Sequence, residues 1–453
     1  MPTFAPGTKY YVAVALVNNQ STPTPANFQC RVVVNSSLYS TNLATNLANV
    51  NWQDGSGNIF ASWLESGETN GSTNTVYWVN LGASTIAGSG GTLTIYYCLF
   101  DTSDNEMDGT NTGAEPNYTG TYGQHDNGTN VFAYYTNFNG VSLPSGWSTS
   151  LGGSGSATVN DGVTLAVGGT VDDAWIYRTA SQSPTKWFET YLISQSGAGP
   201  YGMCGWAIST PPSSNHGYNQ YAMQCANTNT VKFYRWLTGA GSLLGSTTEN
   251  QPFVWGVAWA ATGNERGHAN YSEITSTNAD LSFSNSYAVV GVYGNGGSSS
   301  MIIQWARTRL YPPSDTMPPA SFGSLTPVVP PTSIVVTDTA LATDSVAVEV
   351  ATTVTVSDNG TASESVGINV LTSVVVVDLA HASESVEITL PSYPIMVVDS
   401  AHATDSIRIF GITRLVVDSA VASESVTIRG IARVVLIVDQ AYGQDDISVA
   451  RDV

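Results

Sequence analysis

The sequence predicts an all-β protein in which two β-sandwich, jelly-roll-like domains are followed by a stalk of short-period β-repeats. Charged residues make up only 11% of the 453 residues, against roughly 25% in an average domain. Runs of β-branched and aromatic residues alternate with turns rich in Gly, Asn and Ser, which favours many short strands over helices. Six copies of one short motif close the chain, and a fixed period of this kind marks a repeat architecture.

The first domain is predicted to span residues 1–128. Its strand-like runs are residues 10–17, 30–34, 59–63, 76–79 and 92–100, and a Gly-rich turn follows Asp54. The segments Asn49-Val-Asn-Trp, Ser62-Trp-Leu-Glu, Val76-Tyr-Trp-Val and Tyr122-Gly-Gln-His resemble a β-sandwich domain of unknown function that is common in archaeal and viral surface proteins. The resemblance implies a sandwich and brings no catalytic residues with it.

The second domain is predicted to span residues 129–312. Its landmarks are, in order, Phe138-Asn-Gly-Val, Asp161-Gly-Val-Thr-Leu, Phe188-Glu-Thr-Tyr-Leu and Ile302-Ile-Gln-Trp. This succession resembles concanavalin-A-like and laminin-G-like jelly rolls. The many tryptophans of the segment are predicted mostly to fill the core of the sandwich.

A Pro-rich linker is predicted over residues 313–331, and six repeats of about 20 residues over residues 332–453, resembling phage tail and fibre repeats. The copies begin at aspartates spaced 20, 20, 21, 19 and 21 residues apart: Asp338, Asp358, Asp378, Asp399, Asp418 and Asp439. Each repeat is predicted to form a strand, a tight connection and a second strand. From Val377 onward the first strand is apolar on both faces, so it needs cover on both. The repeats are therefore predicted to self-associate, in the first instance as a parallel homotrimer.

Each repeat also carries two acidic residues six positions apart, such as Asp338 and Asp344. If the repeats stack at about 4.8 Å, these acids form columns of like charge that repel one another. Three explanations stay open. The acids cap the N–H groups of their own turns, which is the favoured interpretation, or they bind cations, or the repeats are spaced more widely than about 4.8 Å.

One loop has the spacing of a calcium site. Acidic side chains at positions 1, 3, 5 and 12, with Gly at position 6, nearly match a calcium-binding loop. The candidate ligands are Asp104, Glu106, Asp108, Thr110 and Glu115. A solvated acidic loop is the alternative, so calcium is the one cofactor considered and none is required.

The four cysteines fall two in each predicted domain, which permits the disulfides Cys30–Cys98 and Cys204–Cys225. Buried thiols are the alternative. Aromatic residues in loops of the second domain are candidates for stacking on sugar rings. These candidates are Tyr201, Trp206, Tyr218 and Tyr221, and the alternative for each is a place in the core.

Catalytic signatures are largely missing, so the sequence predicts a protein that is not an enzyme. Gly197-Ala-Gly-Pro-Tyr-Gly matches a dinucleotide-binding pattern, but a strand-like segment follows it instead of the required helix. Glucanases of the jelly-roll shape use carboxylates in Glu-x-Asp-x-x-Glu-like spacing. The acids Glu189, Glu249, Glu265 and Glu273 of the second domain do not have that spacing.

The net charge of −20, from 14 basic and 34 acidic residues, argues against nucleic acid as a partner. No apolar run approaches the roughly 20 residues of a membrane span, so no membrane insertion is expected. The leading hypothesis is a structural attachment protein of a virion fibre or spike, whose head binds a cell-surface glycan. A cellular surface adhesin or extracellular filament subunit is the alternative, and a polysaccharide depolymerase is the third. All three imply a virion-surface, extracellular or cell-surface location.

Overall fold

The computed structural model describes residues 2–183, 185–197, 200–208, 210, 220–225, 229–237, 240–259, 265–277, 286–294 and 296–328, and beyond them the strands of the repeats. The chain divides into two compact units, residues 1–327 and 328–453. The first unit contains two β-sandwiches, which confirms the predicted all-β class for the head of the molecule.

The first eight strands build the first sandwich. They are β1 (Tyr10–Asn18), β2 (Gln29–Val34), β3 (Val50–Gln53), β4 (Ile59–Phe60), β5 (Ser62–Ser66), β6 (Thr75–Asn80), β7 (Gly91–Leu99) and β8 (Thr112–Ala114). A 3-10 turn covers Ser36–Tyr39, and a single helical turn, α1 (Gly128–Val131), leads to the second sandwich.

The remaining strands of the first unit are β9 (Tyr134–Thr136), β10 (Trp147–Gly152), β11 (Ser156–Val159), β12 (Val163–Val167), β13 (Asp173–Arg178), β14 (Lys186–Gly197), β15 (Pro200–Ala207), β16 (Gln220–Cys225), β17 (Thr230–Leu237), β18 (Ala240–Thr248), β19 (Phe253–Trp259), β20 (Glu265–Ala269), β21 (Ser272–Thr277), β22 (Tyr287–Gly294), β23 (Ser299–Leu310) and β24 (Ala320–Pro327). A second 3-10 turn, Pro313–Asp315, lies between the last two.

The first sandwich packs the sheet β24-β1-β7-β3-β4 against the sheet β2-β6-β5-β8. Strand periodicity sorts its side chains, because alternate residues point to opposite faces. In β6, Tyr77 lies in the inter-sheet core, whereas Trp78 belongs to a separate cluster on the outer face. That outer face is where the second sandwich packs.

The strand β24 corrects the predicted linker over residues 313–331. Residues 320–327 pair antiparallel with β1, from Leu16 opposite Ala320 to Tyr10 opposite Pro327. Phe322 also packs against the core of the first sandwich. The prolines at 318 and 319 precede this strand and Pro327 ends it, at the edge of the sheet where proline is tolerated. The chain thus returns to the first sandwich after completing the second.

The second sandwich packs the sheet β10-β13-β22-β15-β16-β17-β18 against the sheet β11-β12-β23-β14-β19-β20-β21, with β9 beside β23. Its core contains several tryptophans, as predicted: Trp147, Trp206, Trp255 and Trp259. The central strands β14 and β23 carry charged residues within otherwise buried runs. Such charges need partners inside the protein.

The second unit contains the repeats as β25 (Ile334–Asp338), β26 (Asp344–Val350), β27 (Val354–Asp358), β28 (Glu364–Val370), β29 (Val374–Asp378), β30 (Glu384–Thr389), β31 (Ile395–Val398), β32 (Asp405–Phe410), β33 (Leu415–Val417), β34 (Glu424–Arg429), β35 (Ile437–Val438) and β36 (Asp446–Ala450). They form two parallel sheets of six strands, one from the odd-numbered and one from the even-numbered strands. Equivalent positions of successive repeats pair, so Asp338, Asp358 and Asp378 are in register. The connections between the strands lie outside the described residues.

Candidate ligand sites between the two sandwiches

An aromatic cluster joins the two sandwiches. Trp63 and Trp78 are cross-strand neighbours on the outer face of the first sandwich, and Trp305 on β23 meets the ring of Trp63 edge-on at 5.5 Å. Phe132, directly after the helical turn α1, and Tyr135 on β9 belong to the same cluster. These rings exclude water from the charged groups that lie among them.

Arg307 lies at the centre of this interface and is fully buried. Its guanidinium lies 4.5 Å from the ring centres of Trp78 and Trp305. It donates to Glu65 of the first sandwich over 2.8 Å and to Glu189 of the second over 2.7 Å. Because one guanidinium is shared by carboxylates from both domains, it links them as a charge-assisted pair of bonds.

Glu189 is the hub of this network on the side of the second sandwich. Its carboxylate also accepts from Arg309 Nε at 2.7 Å and from His268 Nε2 at 3.0 Å. Burial alone would raise the pKa of Glu189, but the guanidiniums of Arg309 and Arg307 outweigh burial and hold that pKa well below its usual range. Burial lowers the pKa of His268, so the imidazole is neutral near pH 7 and donates through Nε2.

A tight hairpin turn places Tyr271 in the same network. Asn270 and Tyr271 join β20 to β21, and both have positive φ, at 46° and 66°, as a two-residue hairpin turn requires. This backbone is unfavourable for tyrosine. Its hydroxyl accepts from Arg307 Nη2 at 2.7 Å and donates to Glu65, and these bonds offset the cost.

One cavity, here called the cationic cavity, opens beside the network and has a volume of about 420 Å³. Two arginines line it, Arg31 from β2 and Arg309 from β23, together with His268. Trp78, Trp187, Tyr271 and a run of residues from Met317 to Ala320 complete the walls. The one carboxylate in the lining, Glu273, is already paired with Arg266.

A second cavity, here called the acidic cleft, has a volume of about 710 Å³ and shares Arg31 and Tyr271 with the first. Its lining combines carboxyl groups, amides and aromatic rings. These include Glu65, Glu68, Glu115, Asn74, Asn117, Asn270, Gln304, Tyr191, Phe253 and Trp305. Tyr191 is half-buried and stacks on Trp305, with ring centres 5.6 Å apart and planes within 8°.

Glu68 and Glu115 share a proton in the acidic cleft. Burial and the neighbouring Glu115 raise the pKa of Glu68 to about 8, so Glu68 is the protonated partner that donates to Glu115. Burial also raises the pKa of Glu115, which accepts a further bond from Gln304 Nε2 at 3.0 Å. Like charges this close cannot both ionise, and the shared proton removes that conflict.

The predicted calcium loop is not assembled as a cation site. Asp108 accepts from the backbone N–H groups of Thr110, Asn111 and Thr112, while Glu106 accepts from Asn51 and Glu115 belongs to the acidic cleft. Asp104 accepts from the N–H of Asp101. Within the described residues, no group of three or more His, Cys, Asp or Glu side chains is placed to hold a metal ion. The loop joins strand β7 to strand β8, in contrast to the calcium-binding loop of the same spacing, which is flanked by helices.

The predicted disulfide Cys30–Cys98 is wrong, since both are buried free thiols. In β7 the odd-numbered residues Ile95 and Tyr97 face the inter-sheet core, so Cys98 points away from it, whereas Cys30 points into it. Burial raises the pKa of the Cys30 thiol to about 12. Cys204 is buried too, and the side chain of Cys225 lies outside the described part.

Of the four predicted sugar-stacking residues, Trp206 is in the core, 1% exposed, with its Nε1 donating to Val257 O at 2.9 Å. It cannot stack on a ligand at a rim, and the competing interpretation of a core tryptophan is correct for it. The side chains of Tyr201, Tyr218 and Tyr221 lie outside the described residues, so the prediction for them stays a prediction.

The interface network was missed from the sequence, although one signal was present. Arg307 and Arg309 occupy alternate positions of a strand, and Glu189 lies inside another apolar strand. Charged residues within buried strands need partners, so each of these positions predicts an ion pair. The identity of the partners could not be read, because Glu65 and Arg307 are 242 positions apart.

No protein-family model matches the chain. Over 129 residues, or 28% of the chain, it is 35% identical to uncharacterized protein 562 of Sulfolobus islandicus rod-shaped virus 1. The match spans 21% of that protein, so the chain covers about a fifth of the relative's length. Among solved structures, an endo-β-1,3-glucanase from Pyrococcus furiosus is 10% identical over 40% of this chain and 94% of its own, with a TM-score of 0.33. A carbohydrate binding module from Bacillus subtilis is 18% identical over 36% of this chain and 95% of its own, with a TM-score of 0.29.

No helix in the described part of the chain has the length and apolarity to cross a membrane.

Proposed function

We propose that this chain is a non-catalytic attachment protein of a virion surface, whose head binds a cell-surface glycan in the acidic cleft. The lining of that cleft supports the proposal. Aromatic faces such as Tyr191 suit the apolar side of a sugar ring, while Asn74 and Asn117 offer partners for hydroxyl groups. The volume of about 710 Å³ falls within the roughly 300–1,000 Å³ typical of small-molecule sites.

The full-length chain on a glycan array tests this proposal, followed by titration of the best glycan. Tyr191→Ala removes the half-buried ring of the cleft, and we expect it to weaken binding about tenfold, the effect of losing roughly 1.4 kcal/mol of stacking. Tyr96→Ala is the matched control, because Tyr96 is a partly buried ring that packs on Phe4 and Tyr11 away from the cleft. Absence of glycan binding by the intact chain would contradict the proposal.

The carboxyl pair of Glu68 and Glu115 raises the alternative of a polysaccharide depolymerase. Glycosidases hold their two carboxyl groups roughly 5–9.5 Å apart, so that a nucleophile or a water reaches the sugar between them. Glu68 and Glu115 are hydrogen-bonded to each other, which is closer than either arrangement. Incubation of host polysaccharide with the chain should release no reducing ends, and release that Glu68→Gln abolishes would favour the enzyme.

The repeats serve, in this proposal, as a self-associating stalk, with a homotrimer as the leading state. The in-register parallel strands of successive repeats are compatible with a shaft, and the viral relative supports a virion location over a cellular adhesin or filament. Light scattering should give a trimer for the whole chain and a monomer for a chain ending at residue 328. A monomeric whole chain at micromolar concentration would rule out the stalk.

A further inference from the structure

We infer that the cationic cavity binds the anionic group, a carboxylate or a sulfate ester, of an acidic saccharide. The saccharide part rests on the proposed function, whereas the anion site rests on the cavity itself. Among the described residues, the cavity and the acidic cleft share two lining residues, Arg31 and Tyr271.

Arg31 brings to the cavity a guanidinium for which the described residues supply no acceptor. It lies over the ring of Tyr271, 4.2 Å from the ring centre, and its Nε is buried without a hydrogen-bond partner in the described part of the chain. None of the ion pairs among the described residues includes it. A partly buried guanidinium without an acceptor is costly unless a ligand supplies one.

The charges around the cavity do not balance. Arg31, Arg307 and Arg309 bring three positive charges to this region, and Glu65 and Glu189 bring two negative ones. His268 is neutral, and Glu273 is balanced by Arg266. The groups of the cavity and the network therefore carry one net positive charge, which is the charge that one carboxylate or sulfate ester neutralises. The remaining negative charge of the Glu68–Glu115 pair lies in the acidic cleft.

The wall of the cavity supplies further hydrogen-bond donors. Arg309 donates through Nε to Glu189, while its Nη1 is buried without a partner among the described residues. The indole Nε1 of Trp187 is likewise buried and unpartnered. Arg309 is 5% exposed, so it is a fixed wall group, in contrast to a mobile surface arginine. Small side-chain rotations would bring these donors to an oxyanion, which binds guanidinium groups strongly.

The remaining walls suit a ring that carries the anion. Trp78, Trp187 and Tyr271 present aromatic surface, and Pro312, Pro318 and Pro319 add apolar surface. A cavity of about 420 Å³ exceeds what an inorganic ion needs and falls in the range of small-molecule sites, roughly 300–1,000 Å³. A uronate or a sulfated sugar unit combines the ring and the negative charge.

The test compares three oligosaccharides of equal length, oligogalacturonate, sulfated galactan and neutral galactan, by titration against the full-length chain. We expect the acidic ligands to bind about tenfold more tightly than the neutral one, and their ranking to distinguish carboxylate from sulfate. Arg31→Met should abolish this preference. Arg178→Met is the matched control, because Arg178 also lies over a tyrosine ring, 3.6 Å from the centre of Tyr134, but lines neither cavity.

Several outcomes separate this inference from the proposed function. Equal binding of acidic and neutral glycans, unchanged by Arg31→Met, overturns the anion site and leaves the glycan-binding function standing. Binding of free glucuronate or sulfate that Arg31→Met removes, without binding of any oligosaccharide, supports the anion site and overturns the function. Loss of the acidic preference in both arginine variants would assign it to general charge and refute the cavity.

Discussion

The cationic cavity and the acidic cleft lie on either side of the same wall, formed by Arg31 and Tyr271, yet they treat charge in opposite ways. The cavity leaves Arg31 without an acceptor, whereas the cleft pairs Glu68 with Glu115 through a shared proton. Between them, the Glu65–Arg307–Glu189 network is fully paired, with Arg307 and Glu189 fully buried and Glu65 6% exposed at the edge of the cleft. The cationic cavity therefore has excess positive charge. In the acidic cleft a proton neutralises part of the negative charge, and in the network the charges are paired.

Whether a charged group is paired within the described chain distinguishes charges that stabilise the fold from charges that are available to a ligand. A buried pair is costly to break because the remaining partner is left without compensation. A charge without a partner in the described chain has no ion pair to lose, and relief of its burial cost offsets the contacts that are lost with it, so its removal costs little. Stability measurements on matched variants can therefore tell the two kinds of charge apart, and three variants cover the comparison.

The largest effect is expected for Arg307→Leu. Removing this guanidinium leaves Glu189 and Glu65 buried with fewer positive partners, and it also removes the contacts with Trp78 and Trp305. We expect a loss of about 3–5 kcal/mol in the free energy of unfolding of the head, the range for breaking a buried ion pair. Urea denaturation followed by tryptophan fluorescence measures it.

The control for this variant is Arg178→Leu, which removes a half-buried arginine that lies over Tyr134 and takes part in no described ion pair. It should cost about 1 kcal/mol or less. Equal losses in the two variants would show that the interface network is no more important than an ordinary cation–aromatic contact.

An intermediate effect is expected for Glu68→Gln, and its sign depends on pH. Since the pKa of Glu68 is raised to about 8 in the folded chain, the folded state holds a proton that the unfolded state releases near pH 4.5. Stability should therefore fall as pH rises from about 4.5 to 8. Glutamine keeps the donor without ionising, so the variant should be more stable than the parent at pH 8.5, by about 1–2 kcal/mol after allowance for solvent screening in the open cleft.

Melting curves at pH 5 and pH 8.5 check this, with the difference between variant and parent vanishing at the lower pH. Glu273→Gln, which alters an exposed carboxylate outside the acidic cleft, is the control. A constant difference between Glu68→Gln and its parent at both pH values would contradict the shared proton. The contribution of the Glu65–Arg307–Glu189 network to stability should have the opposite pH dependence. Because the pKa of Glu189 is depressed, this contribution is lost as the pH falls through that pKa.

The smallest effect on stability is expected for Arg31→Met. The methionine keeps the apolar stem beside Tyr271 and removes a charge that has no acceptor in the described chain. The free energy of unfolding should change by less than about 0.5 kcal/mol in either direction. A loss as large as that of Arg307→Leu would place Arg31 among the structural charges and remove the basis for the anion site.

The fold class of the head and the strands of the repeats followed from local patterns. Alternating apolar residues with Gly- and Asn-rich turns predicted most strands of the first sandwich, and the resemblance to jelly rolls predicted the second sandwich. The period of the aspartates predicted the paired strands of each repeat. Strand β24 was missed because prolines on both sides of residues 320–327 suggested a linker. Its pairing with β1 joins residues about 300 positions apart. A local sequence pattern cannot predict a pairing between such distant residues.

The sequence by itself determined the period-two sorting of side chains, since the alternation of a strand is a property of its backbone. It thereby determined which tryptophans could reach the outer face of the first sandwich. Only the tertiary structure decided what they meet there. The packing of β5 and β6 against β23 brings Glu65 to Arg307 and opens the two cavities on either side. The physical reason is that the charge state of a buried group depends on partners from distant parts of the chain, and their proximity exists only once both sandwiches have formed.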